Sequence, residues 1–448
     1  TFASLSNIKG APGWPLQFRV DDSWRSVAAA PPPAQCNASG HSAAEPLAGA
    51  PFPRHAQNAA LGMKVVSHKL AVVPLLSPKS AIQRMPSESL DNVVAAATAP
   101  QQFVTSSQCL GCHSGLAPGG FGPAMTLPSN INVSPYGEWR WSPMGLAGRD
   151  PVFYSQLDAE LDSLKDPAKK QLVIDTCMTC HGAMGKKTFA IEHPGKPFNK
   201  DVVYDADPKS PGFKYGGLAR DGISCMVCHH MAKPSDPSLS YFLTHKINGE
   251  FDLTPPDQVS GPFRDQEITT YPMEQALGIK PKYDPYIQSS QMCGSCHTIQ
   301  LPVLDSPDPS RKSLEQVTYV EWLNSSYRNE YGSVGETPKS CQDCHMPQDY
   351  VNTAVSVPQI RTRIAIVQDT TYPATEGLAR PDQVNVRYRP QGYRRHAFLG
   401  LNGFLLELFQ ETAETSGVNA GNNTILGVRL KDYMTGFTSD LQNAIDNV

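Results

Sequence analysis

Apolar residues recur at three- and four-residue spacing over 151–164, 168–178 and 313–328, the period of a helix with one buried face, so helices are predicted there. Two more are expected near 396–415 and 427–446. Between these segments the period is lost, and Pro/Gly-rich stretches such as Pro194–Pro211 and Leu301–Pro309 read as loops. Residues 1–100 are punctuated by proline, notably Ala28–Pro33, Pro46, Pro51 and Pro53, and predict an extended arm with little regular structure. Trp14, Phe18, Trp24 and Phe52 are too many large apolar groups for a fully solvated tail, so the arm is expected to wrap on the core or on a neighbouring subunit. The pattern gives three regions: the arm at 1–100, a central region at 101–350, and an irregular then helical region at 351–448. The longest apolar run, Phe398 to Phe409, is broken by Asn402 and Glu407 and falls short of the roughly 18–20 residues that span a bilayer, so no transmembrane segment is expected.

Composition sharpens this outline. Of 448 residues only 18% are charged, against about 25% in ordinary domains, and 40 are proline, which predicts long irregular segments. The formal charge is −4 and no run of Lys/Arg occurs, so nucleic acid is not an expected partner. The sequence begins at Thr1 with no basic and apolar leader, which suggests a mature form from which an export signal has been removed.

The cysteines carry the chemistry. Ten of eleven fall in five CxxCH units: Cys109–Cys112–His113, Cys177–Cys180–His181, Cys225–Cys228–His229, Cys293–Cys296–His297 and Cys341–Cys344–His345. This is the attachment signature of c-type haem. Two thiols three positions apart can each add to one vinyl group of the same porphyrin, and the next residue places an imidazole under the iron. A zinc knuckle or a redox dithiol would account for CxxC but not for the His that follows every time. The expected cofactor is therefore five covalently attached haems (heme c). Their attachment outside the cytoplasmic membrane implies an extracellular or outer-surface location, with the periplasm as the alternative. Five ferric haems, each about −1 with ionised propionates, would take the charge from −4 to roughly −9. Cys36 is left over, either a buried inert thiol or an intermolecular link.

Seven histidines lie outside the motifs, enough to give each iron a second imidazole with two to spare. His230 directly follows His229, so it cannot reach the same iron but can reach a neighbouring one. His193 and His245 lie in segments that could return over a haem face, and His55 and His68 precede the first motif and are natural ligands for the early haems. His396 opens the expected helix at 396–415, with a cap or propionate partner as its alternative role. His41 is evenly balanced between ligand and surface residue. The first cysteines of successive motifs are 68, 48, 68 and 48 residues apart, which suggests a duplicated pair of motifs. A second echo places Glu138-Trp139 after the first motif and Glu321-Trp322 after the fourth.

Together with the five motifs, several segments make the chain similar to the multihaem c-type cytochromes. They are Trp139 with Ser142-Pro143-Met144 and Asp150-Pro151, Glu321 to Ser325, Ser340 to Pro347, and His396 to Gly400. That family includes the pentahaem nitrite reductases, the hydroxylamine oxidoreductases and electron-conducting outer-surface cytochromes. The resemblance covers about residues 105–405 and implies a fold built around a stacked haem chain. Five porphyrins would take over much of the hydrophobic core, so the chain is expected to be mainly α with extensive coil and little β. The resemblance also implies distal ligation by His396. The nitrite reductases typically bind their catalytic haem through CxxCK, and all five motifs here end in His, which counts against that activity. The expected function is electron transfer through bis-His haems, with other cytochromes or extracellular acceptors as partners and with polymerisation into a filament as one expected assembly beside a monomer. An electron carrier is expected ahead of an enzyme, and the alternative is a reductase of a small nitrogen or sulfur oxyanion. That reading needs one open-site haem and cationic side chains, for which Arg140, Arg149, Arg394 and Arg395 are available. Propionate pairing is their other expected role.

Overall fold

The structure is a computed structural model that describes residues 85–94, 102–113, 125–127, 131–308, 310–352, 357–361, 389, 392–400, 403–411, 426–428 and 445, with the strands at 8–9, 17–20 and 23–26. The chain divides into two compact units, Asn7–Gln83 and the remainder, Thr1–Ser6 with Arg84–Val448. In the smaller unit Ile8–Lys9, Gln17–Val20 and Ser23–Ser26 form a three-stranded antiparallel meander, a regular element that proline content alone does not anticipate in the arm. His41, His55, His68 and Cys36 lie outside the described residues.

The larger unit is mainly helical with little strand. Many of its prolines start helices instead of interrupting them. Ser134, Ser142, Asp150 and Asp166 each accept a backbone N–H from the first turn, and each is followed by a proline at the first helical position. A short polar side chain there satisfies an N–H that the helix cannot, and proline at that position forfeits no internal bond. The helices Pro151–Ser163 and Pro167–His181 occupy the segments expected from the apolar period, the second running on through its CxxCH unit.

Two sequence expectations are corrected. Within 313–328 the helix is only Thr318–Leu323, because Lys312–Gln316 is a strand paired antiparallel with Ile299–Pro302. Leu314 is the buried residue of that strand, and a single apolar position ahead of the apolar positions of 318–323 extends the helical period in sequence only. The expected helix at 396–415 starts only at Gly403 and ends at Glu411. Its first residues are claimed elsewhere. The His396 N–H is donated to Glu138 Oε2 at 3.1 Å, that of Arg395 to the Pro347 carbonyl at 3.0 Å, and that of Leu399 to the His345 carbonyl at 3.0 Å. Phe398 between them has a φ of 49°. The expected helix at 427–446 falls mostly outside the described residues.

Asp91 lies buried between two arginines. Arg220 donates to it from Nε at 2.9 Å and Nη2 at 2.6 Å, and Arg149 donates from Nη2, while Arg149 Nη1 also reaches the carbonyls of Pro86 and Leu426. Residues 85–94 therefore belong to the motif-bearing core, and the arm ends nearer 83 than 100.

Candidate haem-attachment site

Four of the five CxxCH units lie on helical turns, at the ends of Ser107–His113 and Pro167–His181 and as the whole of Cys225–His229 and Cys341–His345. Positions i and i+3 of a helix share a face, so the two thiols of each unit point the same way, with the imidazole one step beyond. In the fourth unit the helix Ser290–Gly294 ends before Cys296, and the His297 N–H bonds back to the Cys293 carbonyl at 2.9 Å. All ten motif cysteines are free thiols. Among the described residues no three His, Cys, Asp or Glu side chains converge on a point that could hold a metal ion, as a Cys/His zinc site would require.

Three of the five motif imidazoles are held in one tautomer, while His297 Nδ1 lies 3.3 Å from Gln316 Nε2, an amide donor. His229 Nδ1 lies 2.6 Å from the Ser260 carbonyl and His181 Nδ1 lies 3.1 Å from that of Ala147, and His345 Nδ1 contacts that of Leu399. A carbonyl can only accept, so Nδ1 carries the proton and Nε2 is left with its lone pair, the state a metal-bound imidazole needs. Phe153 stacks on His181 at 3.5 Å between ring centroids and fixes its plane. Burial holds His181 at about 4 and lowers His113, His229 and His297 as well, so these rings are neutral at pH 7.

The four described non-motif histidines separate into two groups. His396 donates Nδ1–H to the Arg394 carbonyl at 3.0 Å, and burial, with His229 and His113 nearby, lowers it to about 3. His230 is fully buried and lowered to about 4, chiefly by burial. Its Nδ1 lies 3.0 Å from Thr254 Oγ1, and its Nε2 is a buried atom with no hydrogen-bond partner. Both rings fit an axial ligand. His193 fits less well, because Nε2 is already 3.0 Å from the Tyr215 hydroxyl, which itself donates to Glu192. His245 ends the helix Leu239–His245 exposed, stacked on Tyr241, with Nδ1 2.7 Å from Thr244 Oγ1.

The four arginines expected at propionates or at an anion each pair with a carboxylate of the protein. Arg140 pairs with Glu88 at 2.8 Å, Arg149 with Asp91, Arg394 with Asp343 at 2.5 Å, and Arg395 with the buried Glu138. Arg140, Arg149 and Arg395 are buried, where an unpaired charge is strongly penalised, whereas the Arg394–Asp343 pair is partly exposed.

Several residues that sequence reasoning passes over organise the motifs. Asp221 accepts from both the N–H and the hydroxyl of Ser106, just before the first motif, and Glu330 accepts from the N–H groups of Ser290 and Gln291 before the fourth. Burial raises Asp221 to about 7 and Glu138 to about 7. The Glu-Trp echo becomes concrete: Trp139 Nε1 donates to the Ile223 carbonyl at 2.7 Å, and Trp322 Nε1 to the Lys339 carbonyl at 2.9 Å. Each acceptor stands two residues before the first cysteine of a motif, the third and the fifth.

Burial acts on the motif thiols as well. Burial pushes Cys228 up to about 11 and Cys177 to about 12, the reverse of the lowered thiol that activates a redox CxxC. Cys341 goes the other way, lowered by a hydrogen bond from the Cys293 thiol. No helix among the described residues is long and apolar enough to cross a membrane. No protein-family model, curated protein or solved structure matches the chain.

Proposed function

We propose that the chain is a pentahaem c-type cytochrome that carries electrons between redox partners outside the cytoplasmic membrane, with haem c attached at the five CxxCH units. The observation that supports this most is the tautomer of His181, His229 and His345, each with Nδ1–H against a backbone carbonyl and Nε2 left as a ligand. The multihaem cytochrome fold of stacked haems is part of the same proposal. Bound haem would supply reversible one-electron chemistry at iron. The chain's own part is to attach, orient and insulate. The thiol pairs anchor, the motif imidazoles hold one axial position, and His230 and His396 are the described residues suited to the other. Two imidazoles saturate an iron and leave no position for substrate, which favours electron transfer over reduction of an oxyanion. The paired arginines point the same way, since none of the four is a spare cation for an anionic substrate. Assembly into a filament is a proposal of the same kind, carried by the composition of the arm alone.

Low-temperature EPR of the oxidised protein, with spin quantitation and a haem assay, tests this. Five haems, all low-spin with bis-imidazole signals, are expected. One high-spin equivalent that shifts on adding nitrite or hydroxylamine would replace electron transfer with the reductase reading.

A further inference from the structure

The five motifs do not meet in the order in which they follow one another along the chain. Thiols of different motifs lie beside one another in three places: Cys109 and Cys225, Cys180 and Cys296, and Cys293 and Cys341. Backbone and side-chain contacts independent of sulfur support each meeting. Motif one is tied to motif three through Ser106 and Asp221. Motif two is tied to motif four through the Asn248-Gly249 turn. The Gly249 N–H bonds to the Ser295 carbonyl at 2.7 Å, and a Cβ on this glycine would lie 2.6 Å from Thr179 Cγ2 and 3.3 Å from Cys180 Sγ. Motif five is tied to motif four by the Cys341 N–H on Ser290 Oγ at 3.0 Å and by Gln342 Nε2 on the Ser289 carbonyl at 3.0 Å. Motifs three and four share one core, in which Met226, Val227 and Met292 are buried and Cys228 and Cys296 pack against them.

We infer that the Cys293–Cys296–His297 motif is a junction: it adjoins motifs two, three and five, while motif one adjoins motif three. The array is therefore branched and not a line in sequence order. This rests on the reading of the motifs as haem-attachment sites. With haem attached, each Sγ would be bonded to a porphyrin substituent, so two adjacent thiols would place their two porphyrins next to one another. Motif four then passes an electron to any of three neighbours. Motif two is a side branch, and the route from motif one to motif five runs through three and four. Two pairs in this array are built alike, one and three, four and five. In each the first cysteines touch, and a tryptophan between the two motifs in sequence anchors the residue two before the second motif.

Removing motif two distinguishes a branch from a line. In the full-length Cys177→Ala/Cys180→Ala variant four haems remain. If motif two is a side branch, all four stay in contact and reduce together when a chemical donor is mixed in by stopped flow. If the order follows the sequence, motif one is cut off, and a quarter of the absorbance change separates into a slower phase, which overturns the proposal. Iron positions in an experimental structure of the wild-type holoprotein decide the same question should the variant not fold. Three neighbours around the iron of His297 are expected, and two would overturn it. Intact mass separates this proposal from the one beneath it. Five added haems keep the cytochrome reading whatever the iron positions show, whereas a mass lowered by two hydrogens per thiol pair would mean disulfides at these contacts and would end both.

Discussion

Asp91 is the residue on which the motif-bearing unit depends most visibly for charge balance, because one buried carboxylate serves two buried guanidinium groups. Removing one partner of such a cluster leaves uncompensated charge in a poor solvent. Asp91→Ala is expected to lower the unfolding free energy by about 3–5 kcal/mol, measured by urea titration at constant haem content. A loss below about 1 kcal/mol, the level of a surface pair, would show that Arg149 and Arg220 find water. Asp221 adds a pH dependence. Its folded value, about 7, lies above its ordinary 3.8 because of burial. The stability it contributes is therefore present below about pH 4 and is lost as pH rises through 7. Compared with Asp221→Asn at each pH, the wild type should lose relative stability across that interval; a flat difference would refute the assignment. Neither residue stands out in the sequence, since an acidic side chain with no periodic context reads as solvated surface.

At the scale of elements, the tight turns between motifs are the sensitive parts. Gly249 has a φ of 74° and no room for a side chain, whereas Gly278 has a φ of 67° and open space where a Cβ would stand, with nothing within 4 Å. Gly278→Ala should cost only the left-handed backbone strain of about 1–2 kcal/mol. Gly249→Ala should add overpacking of about 1–3 kcal/mol against Thr179 and disturb the second and fourth motifs together. Thermal unfolding of the two variants side by side measures the difference, and equal losses would mean that the turn does not clamp the motifs. The capped helices at 151–163 and 167–181 are readable from sequence because their apolar period is local. The segment around His396 is not, because its backbone bonds go to Glu138 and to residues beside the fifth motif, more than two hundred and about fifty positions away.

For the whole molecule, the division near residue 83 yields a further expectation. A chain of residues 84–448 retains Asp91, whereas 101–448 leaves Arg149 and Arg220 without it, so the first should be the more stable of the two. Melting temperatures of the two truncations, each with its haem content, check this. If 101–448 melts as high as 84–448, the segment at 85–94 is not part of the core. The alternation of 68 and 48 residues between motifs suggests a duplicated pair, and the contacts give that suggestion a specific form: Cys109 meets Cys225 and Cys180 meets Cys296, each across 116 residues.

The proposed chemistry of the chain is read from its sequence because haem attachment is a local requirement, two thiols and an imidazole within five residues, which needs no knowledge of the fold. A mainly helical chain with little strand, and the two helices at 151–163 and 167–181, are also expected from the sequence, whereas prolines as helix starts are not. Which histidines suit an iron, which arginines are already paired and which motifs adjoin were decided only by the tertiary structure. Each depends on groups brought together from distant parts of the chain, as with Glu138 and Arg395 or Cys180 and Cys296. In a buried site a side chain takes the role that the partners around it leave open: His230 keeps a free Nε2, and His193 spends its own on Tyr215.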